Sequence, residues 1–181
     1  MLQALNATET FDSFGQPIPQ WTTIGVYSGE VAPLGGRELV AAKQVKAQAG
    51  VKITTRYLGQ GVFFGPENRW VIGDRYGPMA AINTNSNSVT LSANAPIPLL
   101  SWVFFPYNQA TNTGDSSLQV YQVTAGAGSN YTISPNYGGA NTSATTISQA
   151  RFFGLFDTVN VEERNRQYVA FAYESQQGGK I

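Results

Sequence analysis

The sequence predicts a mainly β protein with one short α-helix and a large β-rich insertion. Strand-like runs recur along the chain, whereas a single stretch shows convincing helical periodicity. Charged residues make up 12% of the chain, yet residues 76–150 contain only one, Asp115. We therefore predict a split domain, residues 1–75 plus 151–175, interrupted by a charge-poor insertion at 76–150 and followed by a flexible tail at 176–181.

The helix is predicted at about residues 37–48. Leu39, Ala42 and Val45 recur at intervals of three and form one narrow apolar stripe. Glu38 falls in the first predicted turn, where the helix dipole favours an anion. Such a helix packs its apolar stripe on a sheet and leaves its charged side chains outside.

The clearest strand is residues 51–57, in which Val51, Ile53, Thr55 and Tyr57 alternate with polar residues. Further strands are predicted at 21–31, 62–64, 69–73, 88–91, 99–105, 117–124, 131–134, 151–156 and 167–173. Both faces of the last strand are largely apolar, which indicates a central position in a sheet.

The composition excludes several classes of function. The chain has no cysteine and no histidine, so it lacks disulfides, thiolate nucleophiles, the commonest general base and the commonest metal ligand. Paired carboxylates such as Asp74 with Asp115 or Asp157 with Glu162 remain the catalytic alternative, although nothing in their spacing favours it. No apolar run approaches the roughly 18 residues of a membrane span, and the N-terminal residues do not resemble a signal peptide. We expect no enzyme, metal or cofactor.

Two stretches, residues 35–57 and 159–174, carry the most specific motifs. In chain order the motif positions are Trp21, 36–39 (GREL), 42–44 (AKQ), Ile53, Arg56, Tyr57, Pro66, Asn68, Arg69, Val159, Asn160, 163–166 (ERNR) and Glu174. Their order resembles the phage head–tail joining family, the head-closure or stopper proteins of long-tailed bacteriophages. The resemblance covers about residues 10–72 and 151–174. Residues 76–150 depart from the family pattern, in which the final strands follow within a few residues.

The resemblance implies a compact β-barrel with one short helix that assembles as a homo-oligomeric ring. It implies a structural protein of the virion, located at the head–tail interface and assembled in the host cytoplasm. The implied partners are further copies of the chain, a portal or adaptor protein on the head side, and a tail terminator or tail tube protein on the other side. DNA passes through such a ring without sequence-specific binding, and neither a membrane nor a cofactor is involved.

Candidate contacts with neighbouring subunits include a charged group. Its members are Arg37, Glu38, Lys43, Arg56, Arg69, Glu163, Arg164 and Arg166. Other interpretations stay open: the helix charges can face water, Arg56 and Arg69 can pair with nearby carboxylates, and 162–166 can be a hairpin turn with weak ion pairs.

Three further candidates, Trp102, Phe104 and Tyr107, belong to an apolar and aromatic run. Such a run is typical of a core strand, but few charges and many aromatic residues are also the composition of an interface core. We hypothesise that part of residues 76–150 is buried against a neighbouring virion protein or subunit. The alternative is a carbohydrate- or surface-binding β-sandwich, because Asn, Ser, Thr, Trp and Tyr suit sugar binding.

Overall fold

The structure, a computed structural model, describes residues 2–5, 10–11, 13–18, 21–34, 50–56, 68–155, 160–162 and 167–175. Every regular element within these residues is a strand, which confirms the mainly β prediction. The strands are β1 Leu2–Leu5, β2 Thr10–Phe11, β3 Pro17–Ile18, β4 Trp21–Gly25, β5 Gly29–Pro33, β6 Val51–Arg56, β7 Asn68–Ile82, β8 Ser88–Leu91, β9 Trp102–Phe104, β10 Val120–Ala127, β11 Asn130–Ser134, β12 Thr142–Leu155, β13 Asn160–Glu162 and β14 Gln167–Ser175. The helix predicted at about 37–48 lies outside the described residues.

The chain divides into two compact units. Unit 1 comprises Met1–Val71 and Phe152–Ile181, and unit 2 comprises Ile72–Arg151. The divisions fall inside β7 and β12, the two longest strands.

Six strands form a closed barrel in the order β7, β8, β11, β10, β9 and β12. Neighbours in this order pair antiparallel, and β7 also pairs with β12, which closes the ring. Closure satisfies the backbone hydrogen-bonding groups that an open sheet leaves at its edges. A barrel was expected, but in residues 1–75 and 151–175. Four of the six strands of this barrel instead lie within residues 76–150.

Alternation of polar and apolar residues explains why these four strands can enclose a core. In β8, for example, Val89 and Leu91 are buried while Ser88 and Thr90 are exposed. The core of unit 2 consists of Ala80, Ile82, Val89, Leu91, Ala95, Ile97, Val103, Phe105, Tyr121, Val123, Tyr131, Ile133, Tyr137 and Ile147. The segment predicted as an insertion therefore contains a hydrophobic core of its own.

Several predicted strand boundaries were wrong. The single strand expected at 21–31 is two strands, β4 and β5. The strand expected at 99–105 begins only at Trp102, because residues 98–101 form a turn. The strand β12 was predicted only from Arg151 onward, since its first half is rich in Ser and Thr and lacks an apolar signal.

In unit 1, β14 pairs with β12 on one side and with β6 on the other, which confirms the central position predicted for residues 167–173. On the far side of β6 lies β5, and β1 pairs with both β4 and β7. Ile53 of β6 and Val169 and Ala172 of β14 are buried. The short hairpin of β2 and β3 forms a separate two-stranded sheet.

Candidate functional site

The most distinctive surface feature of unit 2 is the turn formed by Pro98, Leu99, Leu100 and Ser101, here called the apolar turn. The backbone N–H and the Oγ of Ser101 both donate to the carbonyl of Pro98, at 3.3 and 2.6 Å. Leu100 N donates to the carbonyl of Val123 at 2.8 Å, and Val123 N donates to the carbonyl of Ser101 at 2.9 Å. The turn is thus tied both to itself and to β10.

This turn presents two leucines to solvent. Leu99 is 57% exposed and Leu100 is 68% exposed. Leu100 also has a φ of 65°, a left-handed conformation that costs an L-residue with a side chain roughly 1–2 kcal/mol. Glycine or asparagine would adopt this φ more readily, and a polar side chain would be better hydrated. Folding alone does not account for leucine here.

The segment that contains the apolar turn, residues 76–150, is almost free of charge. Asp115 is the one charged residue of 76–150, and it is 1% exposed. All residues of this segment are described, so it exposes no charged side chain to solvent. This segment therefore offers no basic side chain for contact with a phosphate.

Asp115 is held inside unit 2 by hydrogen bonds. Its Oδ1 accepts from the N–H and the Oγ of Ser117, at 2.9 and 2.6 Å, and its Oδ2 accepts a short hydrogen bond from the Tyr121 hydroxyl. Tyr121 Oη in turn accepts from Gly138 N at 3.0 Å. This buried carboxylate is structural, since its acceptor atoms serve the surrounding loops.

Two buried tyrosines near Asp115, Tyr121 and Tyr137, have raised pKa values. Burial, followed by the hydrogen bond to Asp115, raises the pKa of Tyr121. Burial, with a smaller effect of the Asp115 charge, raises the pKa of Tyr137 to about 12. Both rings pack edge-on against Phe105, at centroid distances of 5.6 and 5.2 Å. Among the described residues, no group forms a hydrogen bond with the Tyr137 hydroxyl.

Arg69, a predicted interface residue, is instead buried within unit 1, with 6% of its surface exposed. Its guanidinium lies 4.2 Å from the ring centroid of Trp21 and 4.4 Å from that of Phe152. Burial lowers the pKa of Arg69 to about 9, so the side chain is still cationic at neutral pH. The cation stacks between two aromatic rings, and the side chain is not accessible to a partner in this conformation.

The three aromatic candidates have different environments. Phe104 is 8% exposed, and its ring occupies the space where Gly73 would carry a side chain. Trp102 is half-buried on β9. Tyr107 is exposed, and its hydroxyl donates to Asn112 Oδ1 at 3.0 Å. Phe104 is therefore a packing residue, because it fills the space above a glycine.

Of the seven remaining charged candidates, only Arg56 lies within the described residues. Arg56 is exposed at the end of β6. The others, Arg37, Glu38, Lys43, Glu163, Arg164 and Arg166, lie outside the described residues. Of the eight charged candidates, the structure therefore places only Arg56 and Arg69.

A groove of about 430 Å³, here called the polar groove because most of its lining residues are Asn, Ser or Thr, lies beside the β7–β8 loop in unit 2. Its lining is Ala81, Ile82, Asn83, Ser86, Ser88, Thr90, Asn141, Thr142 and Ser143. The loop is fixed by Thr84, whose N–H donates to Asn141 Oδ1 at 2.6 Å and whose Oγ1 donates to the carbonyl of Gly139 at 2.7 Å. Hydroxyl and amide groups on a fixed backbone could recognise a neutral polar ligand.

Within the described ranges, no three acidic, cysteine or histidine side chains come together as a metal site would require. The same part of the chain contains no helix with the length and hydrophobicity needed to cross a membrane.

Sequence reasoning missed the two exposed leucines. Leu99 and Leu100 were assigned to a strand because they continue the apolar run that ends at Phe105. The available signal was Pro98, which disfavours the interior of a strand and favours a turn.

Comparison with known proteins supports the resemblance found in the sequence. The family model described as phage head completion protein matches residues 2–91, about half of the chain. The match spans β1 to β8 and therefore extends into the segment predicted as an insertion, whereas the motifs at 159–174 lie outside it. No curated protein and no solved structure matches the chain.

Proposed function

The chain belongs, through residues 2–91, to the phage head completion protein family and is a structural component of the phage head; from this premise we propose that it forms a homo-oligomeric ring at the head–tail junction. The ring closes the DNA-filled head below the portal and docks the tail. The family match is the observation that carries this proposal.

The charge distribution supports a passage for DNA rather than a DNA-binding site. The chain has 11 basic and 11 acidic residues, and the 76–150 segment exposes none of them. Each contact between a basic side chain and a phosphate adds affinity that would hinder sliding. A ring built from subunits without net charge lets DNA pass during packaging and ejection.

In the proposed assembly, the chain contacts its own copies, a portal or adaptor protein on the head side, and a tail terminator or tail tube protein on the other side. A ring requires two different surfaces on every subunit, and many equivalent weak contacts add up to a stable closure. We assign the ring contacts to residues 1–75 and 151–175, with Arg56 and the charged residues at 37, 38, 43, 163, 164 and 166 as candidates. Residues 76–150 are assigned to partner docking.

The test is a phage in which the gene for this chain is disrupted. The expected phenotype is accumulation of unjoined heads and tails, with packaged DNA lost from the heads, and rescue by the chain supplied in trans. Tailed, infectious particles formed without the chain would overturn the proposal.

A carbohydrate-binding role is a second candidate, and the polar groove is the observation that favours it. Its rim of Asn, Ser and Thr side chains offers hydrogen-bond donors and acceptors without charge. The groove contains no aromatic side chain on which a sugar ring could stack. Glycan-array binding that is lost in an Asn83→Ala variant would support this role, and the absence of binding to any glycan would reject it.

A further inference from the structure

We infer that the apolar turn docks, through Leu99 and Leu100, into an apolar pocket in an uncharged surface of another virion protein. The inference rests on the proposed function, because it requires a neighbour at the head–tail junction.

The turn is suited to docking because it is rigid as well as apolar. Its hydrogen bonds to Pro98 and Val123 fix the backbone that carries both leucines. Little backbone conformational entropy is therefore lost when a partner covers them. Neither Leu99 nor Leu100 belongs to the core of unit 2, so their apolar surface is not used for folding.

The chemistry of the surroundings identifies the partner. Nucleic acid is disfavoured because residues 76–150 contain no Lys or Arg to meet its phosphates. A strongly charged protein surface would be desolvated without compensation, because Asp115, the segment's one charged residue, is buried. Electrostatic matching thus favours a partner whose contact surface is uncharged.

A second copy of unit 2 is a poor receptor for the same turn. Seven of the nine residues that line the polar groove of unit 2 carry a hydroxyl or amide side chain. A leucine inserted there would remove water from these groups without replacing their hydrogen bonds. The receptor is therefore assigned to a different protein.

The chain contains no cysteine, which permits a direct test with single-cysteine variants. Leu100→Cys and, as the exposed control, Ala140→Cys are treated with a thiol-reactive reagent, both as free protein and in purified particles. We expect both to react in the free protein, and only Ala140→Cys to react in particles. Reaction of Leu100→Cys in particles at its free rate would overturn the inference while leaving the proposed function intact.

A photo-crosslinker attached at Leu100→Cys then identifies the neighbour. An adduct with a different virion protein supports the assignment. An adduct at twice the 19.5 kDa mass of the chain, or an adduct with DNA, would overturn it. Absence of the chain from particles would contradict the proposed function itself, so the two failures are distinguishable.

A matched pair of variants separates docking from folding. Leu99→Ser combined with Leu100→Asn removes the apolar surface and should relieve the left-handed strain. We expect unchanged or higher thermal stability, with a loss of about tenfold or more in particle joining. Asn85→Gly changes another exposed left-handed residue without removing apolar surface, and should join normally. Normal joining by the double variant would refute docking by this turn.

Discussion

The hydroxyls of Tyr121 and Tyr137 give a sharp test of the packing of unit 2, because they have opposite environments. Both side chains are fully buried and both contact Phe105. The Tyr121 hydroxyl donates to Asp115 and accepts from Gly138 N. The Tyr137 hydroxyl has no hydrogen-bond partner within the described residues. The same substitution, Tyr→Phe, should therefore change the free energy of unfolding in different directions.

The magnitudes follow from these contacts. Tyr121→Phe removes a hydrogen bond to a carboxylate, worth about 1.5–3 kcal/mol, and leaves Gly138 N without its acceptor, which adds about 1–3 kcal/mol. We expect a loss of roughly 3–5 kcal/mol, a large part of the total stability of a domain of this size. Tyr137→Phe removes a buried hydroxyl without a partner and should be neutral or stabilising by about 1–2 kcal/mol.

The assay is urea unfolding of the full chain, followed by circular dichroism. With a slope near 2 kcal/mol per molar urea, the midpoint of Tyr121→Phe should fall by about 1.5–2.5 M. The midpoint of Tyr137→Phe should stay or rise. Equal destabilisation by the two substitutions would refute the hydrogen-bond assignment, because it would show that ring packing rather than hydroxyl pairing controls stability.

Three further predictions concern unit 1, a glycine and alkaline pH. Arg69→Lys should lower stability by about 1–3 kcal/mol, because an ammonium cannot stack between two rings as a guanidinium does; a urea midpoint equal to that of the wild type would contradict this. Gly114→Ala should destabilise by about 2–4 kcal/mol, because φ is +87° and the added Cβ would overlap the carbonyl of Pro106; thermal unfolding measures it, with Gly77→Ala, whose Cβ meets nothing, as control. A pKa of about 12 for Tyr137 means that its hydroxyl keeps the proton to higher pH in the folded state than in the unfolded state. The contribution of Tyr137 to stability should therefore be constant below pH 10 and fall between about pH 10 and 12, by up to about 1.4 kcal/mol per pH unit. A Tyr137→Phe variant should show a shallower decline, and an identical pH profile would exclude Tyr137 as its source.

The sequence by itself determined what depends on local patterns. Alternation in residues 51–57 predicted β6, and the two apolar faces of 167–173 predicted the central position of β14, because a strand buried on both sides needs apolar residues on both. Motif order predicted the family, which the match over residues 2–91 confirms. Composition predicted that residues 76–150 are β-rich and almost free of charge.

Only the tertiary structure decided how these pieces meet. Strand pairing joins residues far apart in the chain, so periodicity cannot show that β7 pairs with β12 and closes a barrel. Burial of Arg69 depends on Trp21 and Phe152 being brought to opposite sides of its guanidinium, which no spacing reveals.

Tertiary contacts also decide which apolar residues of 98–104 are exposed and which are buried. A hydrophobicity pattern makes Leu100 and Phe104 equivalent, but one turns outward at a left-handed φ while the other fills the space above Gly73. Whether a side chain is buried depends on the neighbours that the fold places around it. The sequence shows only which side chains are apolar enough to be buried. Family and strand content were therefore readable from the chain, whereas the exposed leucines, the buried arginine and the closed barrel required the three-dimensional arrangement.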